Sequence, residues 1–356
     1  MTRSMSRSAR WSVLGALLLG LSLAGLNTMA APGEQPFVNV PNEKQLAEKQ
    51  QQRQAEQPLN NAPVWREVRS GVGITQIKGV ETGVLVQSGG ETWRELRNGP
   101  ITFYGSILLL AVPVLFLVFH VVKGPMKLHH PETGRKIQRF SAWDRVIHWS
   151  TAISWVLLAI TGIMILFGKH FLLPVFGYTV FAFLTNIAKN IHNFVGPYFI
   201  VSALAMFFTY LSRNIPRAHD LTWLSKLGGI FSGKEVPSGF FNAGEKIVFW
   251  VGLFLFTIIV GASGLILLFP NFDQGREVMQ IANIVHSIAS ILFMAMIMGH
   301  IYLGTVGVPG AYKAMRTDGK VDEQWAKEHH ELWYNEVKGK AQPAAGSAPG
   351  AAPQRA

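Results

Sequence analysis

Five apolar stretches, at 101–122, 146–167, 191–211, 247–269 and 281–305, leave this 356-residue chain few ways to fold. Each is about long enough to cross a bilayer core as a helix rising about 1.5 Å per residue. Charged residues make up only 15% of the chain, against about 25% in ordinary soluble domains, so the stretches do not read as the buried core of a water-soluble protein. The fold class that follows is all-α, a transmembrane helical bundle of five spans.

The cationic residues fall between the spans in a one-sided way. The first connection carries Lys123, Lys127, Arg135, Lys136, Arg139 and Arg145, and the third carries Arg213, Arg217, Lys226, Lys234 and Lys246. Lys313, Arg316, Lys320 and Lys327 follow the last span, whereas the two remaining connections hold only Lys169 and Arg276 clear of the apolar runs. Positive residues favour the cytoplasmic face, which places the N-terminus outside and the C-terminus inside a multi-pass protein of a bacterial inner membrane. The net charge of +11 therefore reads as topology, with lipid and not nucleic acid as the partner.

Residues 1–30 have the layout of a signal peptide: Arg3, Arg7 and Arg10, an apolar run over 13–26, and the small-residue site Thr28-Met29-Ala30. Residues 31–100 are then an exported segment, Gln-rich over 45–57 and with glycine-punctuated apolar runs over 65–98 that fit a small β-rich cap or an extended arm. The segment 171–184, broken by Pro174 and Gly177, reads as interfacial. Residues 338–356 form an Ala/Pro/Gly-rich tail expected to be disordered.

Chemistry within the spans has to come from histidine. The chain has no cysteine, which excludes disulfides, cysteine-ligated clusters and covalent c-type haem. His148, His192, His286 and His300 lie at span positions, where an ionisable residue is a functional hypothesis. His286 and His300 share one span. Their separation returns to within about 40° of the same helix face and covers about 21 Å along the axis. The topology then matches His192 with His286 in depth near the outer surface, and His148 with His300 near the inner one. Two imidazoles on facing helices can fill both axial positions of a haem b, which leaves an electron carrier and not an oxygen site. Structural zinc favours four ligands, and a proton relay would call for acidic residues in the spans. Gly196 and the Gly261/Gly264 pair would let a flat macrocycle approach the backbone.

Residues 139–337 resemble the cytochrome b (gamma) subunit of membrane-bound respiratory formate dehydrogenases. The resemblance lies in Asp144-Arg145-Val146-Ile147-His148-Trp149, Ile191-His192 with Gly196, Arg213-Asn214-Ile215-Pro216 and Asn242-Ala243-Gly244-Glu245-Lys246. It continues through the His286/His300 spacing and the run from Trp325 to Tyr334. It implies a four-helix core with two haems b, His192 and His286 ligating the outer one and His148 and His300 the inner one. It also implies quinone reduction, of menaquinone or ubiquinone, beside the inner haem at Asn242, Gly244 and His300, with Glu245 adjacent. The implied partners are an iron–sulfur (beta) subunit and a molybdenum or tungsten catalytic (alpha) subunit that oxidises formate. In this picture the span at 101–122 is an addition to the four-helix core. His120 has no haem to serve, and His329 and His330 belong to a solvated or subunit-contacting tail. Asn242 and Glu245 also have the spacing of a helix capping box. Two other readings stand beside this one: a cytochrome b subunit serving a hydrogenase or thiosulfate reductase, and a haem-free membrane anchor or transporter.

Overall fold

The computed structural model describes residues 43–56, 88–230, 232–233, 236–272, 274–340 and 342–343. The expected signal peptide, most of the exported segment and residues 344–356 of the tail lie outside these. The chain divides into two units, Met1–Gln87 and Ser88–Ala356. In the first, the Gln-rich stretch forms helix α1 (Glu43–Glu56), built of good helix formers but polar on every face and so without a core of its own.

The second unit holds four helices long and apolar enough to cross a membrane. They are α2 (Gly89–Lys123), α3 (Ala142–Arg213), α5 (Ala243–Leu268) and α6 (Arg276–Gly307). Short helices α4 (Ala218–Ser225), α7 (Ala311–Arg316), α8 (Glu323–His329) and α9 (Glu331–Val337) gather with the connections. Many large apolar side chains face outward, among them Phe194 at 82% exposure, a surface suited to hydrocarbon and not to water. Part of the expected β-rich cap is helical instead: Ser88–Leu96 runs through a π-helical turn at Arg97–Ile101 into the apolar part of α2. The long-range packing of that helix overrides its glycines.

Helix α3 accounts for two of the expected spans. Straight, its 72 residues would reach about 108 Å, several times the hydrocarbon thickness. The chain turns back at Gly177, where φ is 71° and ψ 176°, a conformation that a residue with a Cβ rarely adopts. The region around Pro174 and Gly177 is thus the tip of a helical hairpin. Side-chain hydrogen bonds close the two arms in antiparallel register, mirroring each other about the turn: Thr161 with His192 at 2.8 Å, Ser150 with Tyr198 at 2.7 Å, and Trp143 Nε1 donating to Thr209 Oγ1 at 3.0 Å.

The open end of the hairpin, its base, is locked by polar groups. Ser141 and Asp144 form a reciprocal capping box at the start of α3. The same buried Asp144 carboxylate accepts from Arg213 Nη1 at 3.0 Å, and the Tyr210 hydroxyl donates to the Asp144 carbonyl at 2.8 Å. Asn214 extends the lock, donating to Tyr210 O at 3.0 Å and accepting from Trp250 Nε1 of α5 at 2.9 Å. Below these lies a three-stranded antiparallel sheet of order β2-β1-β3, with β1 (Arg135–Gln138) between β2 (Lys320–Asp322) and β3 (Gln342–Pro343). Ile137 sits opposite Val321, and both are buried. The start of the expected disordered tail is therefore ordered, because Gln342 pairs with Lys136.

His330, expected in a solvated or subunit-contacting tail, is a core residue at 2% exposure. Its Nδ1 donates to Gly239 O at 2.9 Å and its ring packs against Trp325 and Trp333. Burial and the neighbouring Arg139 charge hold its imidazole well below the usual histidine range, so it is neutral when folded. The unfolded chain binds the proton below about pH 6.5, which costs up to about 1.4 kcal/mol of stability per pH unit of further acidification. Between about pH 7.5 and 5.5, the melting temperature of the purified protein is expected to fall further for the wild type than for His330→Asn. Equal pH dependence in the two proteins would contradict a neutral, buried His330.

Candidate functional site

Two histidine pairs form where helix α3 packs on α6. His192 and His286 have ring centroids 6.1 Å apart on the side of the hairpin tip, and His148 and His300 have theirs 6.3 Å apart on the side of its base. These are the pairs expected from depth. Among the described residues no group of three or more His, Cys, Asp or Glu side chains could hold a metal. Each level therefore offers two imidazoles, as axial ligation requires. Two imidazoles bound to opposite sides of one metal at about 2.0 Å each would place their ring centres about 6 Å apart, the spacing found at both levels.

The tautomers at the tip-side pair can be worked out from the bonding. Thr161 Oγ1 donates its single proton to Leu157 O at 2.7 Å, so toward His192 Nδ1 it acts as acceptor. His286 Nδ1 lies 3.1 Å from the Val260 carbonyl, which can only accept, and 3.1 Å from Ser263 Oγ, whose proton goes to Ile259 O at 2.6 Å. Both rings therefore carry hydrogen on Nδ1 and keep the Nε2 lone pair for a ligand. At the base-side pair His148 Nδ1 is buried without a hydrogen-bond partner, an orphan of the kind that a bound group or water satisfies.

A cavity of about 340 Å³ opens around the tip-side pair, within the usual size of a cofactor pocket. Gly162, Gly196, Gly261 and Gly264 are part of its wall. A Cβ on Gly196 would point into open space, and one on Gly162 or Gly264 would sit 3.5 Å and 3.2 Å from the rings of His192 and His286. Gly162 was not singled out in the sequence, although a signal existed. It follows His148 by the same interval that separates His286 from His300, so it shares the histidine's helix face at the other level.

At the base-side end, Asn242 and Glu245 form the capping box expected of them. Asn242 Oδ1 accepts from Glu245 N at 2.9 Å, and the Glu245 carboxylate accepts from Asn242 N at 2.8 Å. Glu245 is also within electrostatic reach of the His300 ring and pairs with Arg139 Nη2 at 3.4 Å. Arg139 is itself buried under Phe140, Phe240 and Trp325, and sequence position alone marked it only as a loop cation. Gly244 lies in the first turn of α5 and lets the Trp223 ring pack close, since a Cβ there would meet that ring at 2.9 Å. His120 donates to or accepts from Tyr302 at 3.3 Å, joining α2 to α6.

Residues 139–318, just over half of the chain, match the family described as prokaryotic cytochrome b561. The chain belongs to the prokaryotic cytochrome b561 family. It is 34% identical over 206 residues to the formate dehydrogenase cytochrome b556(fdo) subunit of Escherichia coli K12, covering 57% of this chain and 93% of that protein. It is 31% identical over 212 residues to the nitrate-inducible cytochrome b556(Fdn) subunit of the same organism, covering 58% and 93%. The cytochrome b556 subunit of formate dehydrogenase from Haemophilus influenzae is 29% identical over 213 residues, covering 56% and 83%. Membership implies haem b; both histidine pairs fit it by spacing and ligand number, and the tip-side pair also by tautomer. The matched family segment begins after α2, which the family model does not include.

Thr161→Val removes the hydroxyl from His192 Nδ1–H and leaves the Leu158 carbonyl as the remaining acceptor, so the imidazole becomes a weaker base. About tenfold weaker retention of haem b is expected, measured as haem per chain during dilution, with Thr161→Ser close to the wild type. Unchanged retention in Thr161→Val would remove Thr161 from the site.

Proposed function

We propose that this chain is the membrane cytochrome b subunit of a formate dehydrogenase complex. It would take electrons from a periplasmic iron–sulfur subunit, itself fed by a molybdenum or tungsten catalytic subunit, and deliver them to quinone at the cytoplasmic side. The observation that carries the reading is the pair of histidine rungs, His192 with His286 and His148 with His300, in a chain whose relatives bear that name. In it the bundle crosses the inner membrane five times, the two arms of α3 counting separately, with the hairpin tip periplasmic and the base cytoplasmic as the positive loops require.

Two haems b, one per rung, would supply one-electron carriage across the bilayer. His192 and His286 would hold the periplasmic one through Nε2, oriented by Thr161, Val260 and Ser263, and His148 and His300 the cytoplasmic one. Asn242 and the first backbone N–H groups of α5 present donors to a quinone oxygen, as a helix N-terminus does to an anion. Glu245, held by Arg139 and 33% exposed, can accept a proton from the cytoplasm and hold it beside His300. Moving an electron inward against a negative-inside potential costs about 2.3 kcal/mol per 100 mV, so taking the protons from the cytoplasm makes the arrangement energy-conserving.

Reduced-minus-oxidised spectra with a haem count test the ligand assignment. The wild-type complex is expected to hold two b haems, and His192→Ala and His300→Ala to lose chiefly one each. Two full haems in both variants would refute it. Glu245→Gln is expected to slow quinone reduction with both haems retained and still reducible by the donor. Normal turnover in that variant would move the quinone site elsewhere. A co-purified partner that oxidises hydrogen or reduces thiosulfate would replace the formate assignment.

A further inference from the structure

The tip-side cavity is not built by the family segment alone. Arg97, at the π-helical turn of α2, lines it together with Lys189, Asn193 and Asn283. Arg97 is half-buried, and its Nη1 donates to Asn98 Oδ1 at 3.2 Å. Lys169 Nζ donates to the same oxygen at 2.9 Å, so two cations share one neutral amide. Among the described residues no acidic side chain lines this cavity. Glu91, the carboxylate a turn and a half before Arg97, is taken up by Arg94.

The placement of this charge is not left to a loose loop. Trp93 Nε1 donates to Asn283 Oδ1 of α6 at 3.0 Å. Gly105 lets α2 close onto Ile291, which a Cβ there would strike at 2.6 Å. Ile101, Leu109, Phe167, Ile291 and Met294 form a shared apolar core behind it. A cavity with two imidazoles at its centre and two cations in its wall, half-buried Arg97 and exposed Lys189, is shaped for a ligand with an apolar, metal-binding body and anionic ends.

We propose that Arg97 and Lys189 bind the propionate carboxylates of the haem held by His192 and His286, making α2 part of that haem site. The inference rests on the haem reading above and adds to it a residue from outside the matched family segment. A fixed guanidinium beside those carboxylates favours the reduced, more negative haem, so α2 raises the potential of this haem relative to a site lacking it. Lipid phosphate is the other anion that could occupy the same cations, and the test separates the two.

The purified complex would be titrated spectroelectrochemically as wild type, Arg97→Gln, Lys189→Gln, the double variant and Arg97→Lys, with Lys123→Gln at the far end of the same helix as a control. The expected result is a lower midpoint potential for one b haem in the Arg97→Gln and Lys189→Gln variants and a larger drop in the double variant. The other haem stays unchanged, Arg97→Lys is partly restored, and Lys123→Gln leaves the potential of this haem as in the wild type. The double variant is also expected to lose that haem faster to apomyoglobin. Unchanged potential and haem transfer in the double variant would overturn the proposal. If native mass spectrometry of that variant also showed a lost anionic lipid, the cations would belong to a headgroup. Absence of any b haem in the wild type would instead defeat the underlying reading.

Discussion

A backbone that crosses hydrocarbon has to satisfy its own hydrogen bonds, and that constraint shapes everything else in this chain. It makes every long apolar stretch helical and restricts chemistry at depth to the side chains that helices can present to one another. In such a bundle a polar side chain is costly unless it has a partner. The tip-side histidines obey this: His192 and His286 each have their Nδ1 engaged by a hydroxyl or carbonyl of the facing helical arm or helix, which leaves the opposite nitrogen for a ligand, whereas His148 Nδ1 is buried without a partner. The repeat of the helix then does the rest. An interval that brings a residue back to the same face about 21 Å further on stacks two histidine pairs along one helix pair.

The polar network at the base of the bundle plays a different part. Asp144 with Arg213, Asp220 with Lys246 at 2.7 Å, and Arg139 with Glu245 join the helix ends to the connections. Buried ion pairs add little net stability against apolar alternatives, but breaking one leaves a stranded charge. Their effect is to fix how the segments dock. Many of the residues that carry the family resemblance are of this kind. Asp144 and Asn214 lock the hairpin, Trp325 donates to Pro309 O at 2.9 Å, and His330 supports Gly239. They fix how the segments that carry the rungs dock against one another.

Glu245 belongs to both groups. Its carboxylate completes the cap of α5 and, in the proposed quinone site, would carry a proton beside His300. A capping carboxylate at a helix start is stabilised by the same N–H dipoles that would favour a quinone oxygen, so stability and chemistry draw on one local arrangement.

How much of this was legible in the sequence follows from the range of the forces involved. The helical stretches and the capping boxes are set by neighbours along the chain, and the apolar runs and short-range spacing of the sequence determined them. The pairing of His192 with His286 and of His148 with His300 was legible too, because a membrane reduces a three-dimensional packing problem to one of depth. Only the tertiary structure decided the remainder. The merging of two spans into one hairpin depends on a positive φ at Gly177. Burial of His330 and Arg139, and the pairing of β1 with a strand nearly two hundred residues later, depend on long-range contacts with no local periodicity. The same holds for Gly244 against Trp223 and for Arg97 in the wall of the tip-side cavity, since side-chain direction is settled only when distant helices have packed.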